Sequence, residues 1–173
     1  MLKGASIALQ PDSLFRIAVR FFLLLILFSG GYYVEKKVTG QIIDIPYTRL
    51  VTLASAWVGQ VVMPIPVTMR GDIILGSGNT AVVVRAGCNG LEAIFLMLAG
   101  ILAYPTSWRR RGQALSLYLP TLFILNLLRV LLLLFVMARY PQYIDVFHYQ
   151  VGQAVLVVFV FAFWVHYVHW TKS

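Results

Sequence analysis

Residues 117–138 read "LYLPTLFILNLLRVLLLLFVMA", twenty-two residues with a single formal charge, Arg129. A bilayer core takes roughly 20 apolar residues as a helix, with a range of about 17 to 25. Extended back to Leu115, the stretch therefore reads as a membrane span over 115–138. A charged side chain inside a span costs about 2.5 to 3.5 kcal/mol on insertion scales, so it should face a protein partner or a water-filled cavity. Snorkelling outward is hindered because "VLLLLFVMA" still separates Arg129 from the end of the helix. Asn126, three residues earlier, shares its helical face and can help to orient the guanidinium.

The rest of the chain agrees with a membrane setting. Of 173 residues, 60% are hydrophobic and only 12% charged, against about half and a quarter in ordinary soluble domains. Mean hydropathy is +0.83. Three further stretches qualify as spans: 17–34, which contains "FFLLLILFSGGYYV"; 88–104, which stops at Pro105; and 151–170, which ends in the aromatic belt "FWVHYVHW". Within 17–34, Arg20 is tolerated by snorkelling to the inner surface. That span has a rival reading as a signal peptide. No A-x-A-like cleavage site follows it, which favours a retained anchor.

A net charge of +8 invites a nucleic-acid reading, but such sites need a solvated basic stripe. Here many of the cations flank spans, where they set orientation. Arg109, Arg110 and Arg111 lie between the second and third spans, which puts that connection in the cytoplasm by the positive-inside rule. The N-terminus, with Lys3, Arg16 and Arg20, and Lys172 then also lie inside. Residues 35–87 lie outside, where a long segment contributes little to the rule. Within it, "YTRLVTLASAWVGQVV" places Leu50, Leu53, Trp57, Val58 and Val61 on one helical face. That helix either lies on the outer leaflet or packs against the spans. In "VTMRGDIILGSGNTAVVVRAG", two β-rich runs flank Gly-Ser-Gly-Asn and predict a β-hairpin. The expected fold is an all-α polytopic membrane protein, a single domain over 1–173, with about four transmembrane helices, an extracytoplasmic interfacial helix and a small hairpin.

Three polar residues then fall at one depth. Cys88, the one cysteine, opens the second span on the outer side. Arg129 has risen about 21 Å through a core of about 30 Å. His148 lies outside, just before the fourth span. A lone cysteine excludes an internal disulfide, and with no histidine pair at ligand spacing outside, no metal site is expected. Free cysteine is either a small packed hydrophobe or, at a helix start near cations, a nucleophile. Taken together, thiol, imidazole and guanidinium are the nucleophile, acid/base and anion stabiliser of cysteine acyl transfer. Glu92, one turn after Cys88, would oppose the thiolate unless paired with Arg129 or Arg85. His166 and His169 lie toward the inner end and read as interfacial. Two other readings use the same residues: a non-enzymatic assembly subunit locked by an Arg129–Glu92 pair, and a carrier with Arg129 in an anion path. The carrier reading lacks internal repeats.

The motifs "AGCNGLEA", "NLLRV" and "FHYQVGQ", in this order on membrane segments, resemble the exosortase/archaeosortase family of membrane-embedded cysteine transpeptidases. The likeness covers roughly residues 67–165, and "AGCNGLEA" with "YPTSWRRR" looks most like the exosortase H subtype. The resemblance implies that Cys88, Arg129 and His148 are catalytic, and no cofactor is expected; Asn89, Glu92 and Asn126 are expected to support them. It also implies a multi-pass protein of the bacterial inner membrane with its active site on the extracytoplasmic side. The implied substrates are exported proteins whose C-terminal sorting signal joins a short motif, of the IPTLxxWG type, to a transmembrane helix and a basic cluster.

Overall fold

The computed structural model describes residues 11–38, 41–76, 80–85 and 87–172. Lys3, the Ser77–Asn79 tip of the expected hairpin turn and Ala86 lie outside the described residues. The elements are α1 (Pro11–Val38), α2 (Asp44–Val62), strands β1 (Thr68–Arg70), β2 (Ile73–Leu75) and β3 (Ala81–Val83), α3 (Leu91–Ala103), α4 (Trp108–Arg139) and α5 (Gly152–Lys172). A 3-10 turn (Pro141–Tyr143) and a π-helix (Val146–Val151) join α4 to α5.

Three helical stretches are long and apolar enough to cross a membrane: Ser13–Val38, Trp108–Arg139 and Val146–Lys172. Their outward faces carry large apolar side chains, among them Phe22, Ile26, Val158 and Phe161. Water would penalise such a surface and lipid does not. The helix of the expected second span, 88–104, is shorter than the sequence suggests. Helix α3 has 13 residues, about 20 Å at 1.5 Å per residue, and is shorter than a core of about 30 Å. It begins at Leu91, because Gly87 (φ +85°) and Gly90 (φ +83°) adopt left-handed backbone that no helix can include. It ends at Tyr104, extended (φ −75°, ψ 130°) as a residue before proline tends to be.

The expected third span extends back to Trp108, so Arg109–Arg111 occupy the first turn of α4 rather than a loop. Ser107 caps that turn through the Arg110 amide, 3.4 Å away. At this end of the bundle Arg110 also bonds the Thr171 carbonyl, and Arg111 donates to the Tyr104 carbonyl at 3.1 Å. His166, read as interfacial, is exposed and bonded to the Tyr118 hydroxyl at 2.6 Å. Met97, Ile101, Tyr118, Leu122, Val160 and Tyr167 form the core there. Close approach of α3 and α5 rests on Gly100. A Cβ at that position would lie 2.7 Å from Trp164 Cδ1, and the Trp164 indole donates to the Gly100 carbonyl at 3.1 Å.

At the opposite end, α2 and the sheet pack on the second half of α4. Most of the anticipated apolar face of α2 points away from the protein, with Leu50, Leu53, Trp57 and Val61 exposed, while Val58 is half-buried against the core. Its small face is buried instead: Thr48, Thr52, Ser55, Ala56 and Gly59. The helix thus packs on α4 by its small face and leaves its apolar face outward. The hairpin is β2–β3, with Ile74 opposite Val82. A further strand, β1, was not anticipated. It pairs antiparallel with β2 through a tight turn at Gly71 (φ +66°) and Asp72, which divides what read as one run. Ile74, Val82 and Val84 join Val51, Leu127, Val130 and Leu134 in a second core, and Cys88 belongs to it.

Candidate active site at the Cys88 turn

Between β3 and α3 the chain turns at Gly87–Gly90. The Arg85 carbonyl accepts from the amides of both Cys88 (2.8 Å) and Asn89 (3.0 Å), closing a tight turn before α3. Cys88 therefore sits three residues ahead of the helix, not at its first turn as expected. The thiol is buried, at 4% exposure, within the core that includes Leu127, Val130 and Phe147. Burial pushes its pKa up; the Arg129 charge pulls it down, and Glu92 pushes it up. Desolvation disfavours the thiolate, so the resting group is a thiol.

Asn89, completely buried, fixes this turn from every side. Its Oδ1 accepts from the Leu91 amide at 3.2 Å, the bond of an asparagine to the backbone two residues on that closes a turn, ahead of Gly90, the N-cap of α3. Its Nδ2 donates to Asp44 Oδ1 at 3.0 Å and to Thr48 Oγ1 at 3.1 Å. Its carbonyl accepts from Asn126 Nδ2 at 2.7 Å. Asn126 was expected to orient Arg129; it holds the Cys88 turn instead. The Asn126 amide lies against the bare Cα of Gly90, where a Cβ would come within 2.7 Å of Asn126 Cγ.

Arg129 is buried at 6% exposure. Its Nη2 donates to the His148 carbonyl at 3.4 Å, while its Nε has no hydrogen-bond partner. The side chain passes over Gly152, where a Cβ would lie 2.6 Å from Nε. Of the roles open to Glu92, pairing with Arg129 or Arg85 or facing a polar cavity, no ion pair with either arginine is made among the described residues. Glu92 is exposed in the first turn of α3 and shares a cavity of about 420 Å³ with Arg129, Gly87, Gly90 and Gln153. Leu25 and Ser29 of α1 and Leu156 of α5 continue its wall.

His148, expected in a loop, lies in the π-helix that runs into α5. Single π turns of this kind are frequent at functional sites. Its ring packs edge-on to Tyr149 at 4.6 Å between centroids. Of the three chemical groups Arg129 alone lines the cavity of about 420 Å³, with Gly87 and Gly90 from the Cys88 turn; Arg129 reaches the His148 carbonyl, and among the described residues no hydrogen bond joins thiol to imidazole. A second cavity, about 490 Å³, lies beyond Asn89 and is lined by Lys36, Asp44, Thr48, Arg49, Asp72 and Arg85 among others. It contains none of the three chemical groups. Among the described residues no cluster of three or more His, Cys, Asp or Glu side chains gathers.

Sequence reasoning missed Asp44, Tyr32, Thr48 and Gly152. Asp44 carried one available signal, a carboxylate within the otherwise apolar "IIDIP". The family model for transmembrane exosortases matches residues 1–165. The chain belongs to the transmembrane exosortase family. Comparison with curated proteins and with solved structures returns no match. In this exosortase, the turn bracketed by Gly87 and Gly90 and the buried Arg129 open on one cavity.

Proposed function

We propose that this exosortase is a membrane-embedded cysteine peptidase or transpeptidase acting at the extracytoplasmic face of a bacterial inner membrane. Family membership supports a membrane transpeptidase-like role in general. The observation that carries the finer reading is Arg129: a desolvated guanidinium without a carboxylate partner among the described residues, with Nε unsatisfied, lining the cavity beside the Cys88 turn. A guanidinium that lines a cavity without a carboxylate partner is suited to an oxygen that gains charge during reaction.

In the proposed reaction the Cys88 sulfur attacks the scissile carbonyl of the substrate while its proton passes to the His148 imidazole. The tetrahedral oxyanion forms against Arg129. It collapses to a thioester as His148 returns the proton to the departing amine. An amine acceptor, or water, then attacks the thioester, gives up a proton and releases the thiol. Because burial keeps the resting sulfur protonated, a base is required, and the imidazole must approach it when substrate binds. Contacts of this kind often tighten only in the complex. The substrate class is an exported protein whose C-terminal motif is followed by a transmembrane helix and a basic cluster. Its membrane anchor supplies orientation, a large part of catalysis when geometry is right.

The test is co-expression with a tagged substrate bearing such a tail, with membrane levels compared by immunoblot. Cys88→Ala and Arg129→Ala should each leave the precursor unprocessed at native abundance. Normal maturation in the Cys88→Ala strain ends the proposal.

A further inference from the structure

We propose that Asp44 is a positioning residue for Cys88, acting through the side chain of Asn89; this rests on the reading of Cys88 as the nucleophile. Asp44 is the first residue of α2 and is 7% exposed, so its carboxylate is nearly out of water. Such a group is retained only when its oxygens are engaged. Here Oδ1 accepts from the Tyr32 hydroxyl of α1 at 2.6 Å and from Asn89 Nδ2 at 3.0 Å. Oδ2 lies 3.9 Å from the Lys36 ammonium. One carboxylate thereby ties the end of α1 and the start of α2 to the residue adjoining the thiol.

The arrangement demands an amide at residue 89. Both hydrogens of Nδ2 are spent, on Asp44 and Thr48, and Oδ1 is spent on the Leu91 amide. Leucine or alanine would leave three partners open, and aspartate would set one carboxylate against another. The polarity follows from Asp44: an acceptor there requires a donor on Asn89, which turns the amide oxygen toward α3. With the side chain fixed at both ends and the carbonyl held by Asn126 at 2.7 Å, the Cα next to Cys88 has little freedom. No contact joins Asp44 to the cavity that holds Arg129, so its effect is on where the sulfur stands.

The polarity is testable by exchange. Asn89→Asp places two carboxylates together. Adding Asp44→Asn restores a donor–acceptor pair, with the amide now on α2 and an oxygen of residue 89 still free for the Leu91 amide. Purified protein in detergent is treated with iodoacetamide, whose reaction with the one cysteine is followed by mass spectrometry, while processing of the tagged substrate is followed in cells at matched membrane levels. Loss of a buried hydrogen-bonded partner should release the turn and speed alkylation by about tenfold in Asp44→Ala and in Asn89→Asp. Processing should fall in both. The double exchange should recover most of the slow alkylation and most of the processing, a coupling that independent sites would not show. Native alkylation in Asp44→Ala overturns the proposal, and so does a double variant as fast as Asn89→Asp. The alkylation arm reports the turn whether or not Cys88 cleaves anything. Processing that survives Cys88→Ala would instead defeat the peptidase reading and leave the positioning result standing.

Discussion

Gly152 offers a sharp test of how Arg129 is held. Its backbone is helical (φ −64°, ψ −37°), so no conformational need for glycine exists, and alanine there should gain about 0.8 to 1.0 kcal/mol of helix propensity. Sterics oppose the gain. A Cβ would lie 2.6 Å from Arg129 Nε and 2.9 Å from the Phe147 carbonyl, and overpacking of this kind costs about 1 to 3 kcal/mol. Net stability should therefore fall by about 0 to 2 kcal/mol. Activity should fall much further. Relieving the clash moves the guanidinium by something near an ångström, and a misplacement of that size can cost about a hundredfold. In an Arg129→Ala background the new methyl meets the Phe147 carbonyl alone, so the penalty of Gly152→Ala should shrink by about 1 kcal/mol, the coupling expected of touching residues. Thermal unfolding in detergent gives the stabilities of the four proteins, and substrate processing gives the activity of the native and Gly152→Ala forms. Native processing in Gly152→Ala, or the same stability change in both backgrounds, would refute the claim that Gly152 is small to admit Arg129.

Two further outcomes follow from the same geometry. Alkylation of Cys88 should climb with pH and reach its plateau above the ordinary thiol range, because burial raises the pKa and the thiolate is the reacting form; Arg129→Ala removes the one attraction that lowers it, so the midpoint should rise, and an unmoved midpoint would show that the guanidinium does not reach the sulfur. Tyr118→Phe, which deletes the 2.6 Å contact with His166 at the far end of the bundle, should lower stability by about 1 kcal/mol and leave processing intact.

What the sequence made legible was whatever depends on one stretch alone. Arg129 announced itself because a cation inside "NLLRVLLLLF" is conspicuous against lipid. The apolar face of α2 was plain from spacing, but its direction was not: that depends on the small face formed by Ser55, Ala56 and Gly59, whose value appears only when α4 lies against it. The start of α3 was misplaced because hydropathy counts Cys88, Asn89 and Gly90 as span and cannot register two left-handed glycines. Asp44 escaped because its partner Asn89 is 45 residues away, and Gly152 because its role is defined by a side chain of another helix.

The unpaired state of Arg129 also bears on the assembly-subunit alternative. A residue kept to lock helices should seek the carboxylate within reach, since removing one member of a buried pair is what makes such pairs structural. Glu92 lines the same cavity as Arg129, and still no ion pair forms between them. The guanidinium instead gives one donor to a backbone carbonyl, that of His148, while its Nε is buried without a hydrogen-bond partner. A neutral acceptor orients the group without cancelling its charge. The fold thus bears the desolvation of a cation and keeps most of its field for the cavity, a cost that stability alone does not explain. A carbonyl oxygen becoming an oxyanion beside the Cys88 turn would meet that field, opposed by the Glu92 charge in the same cavity, and would meet less of it if Glu92 were the partner.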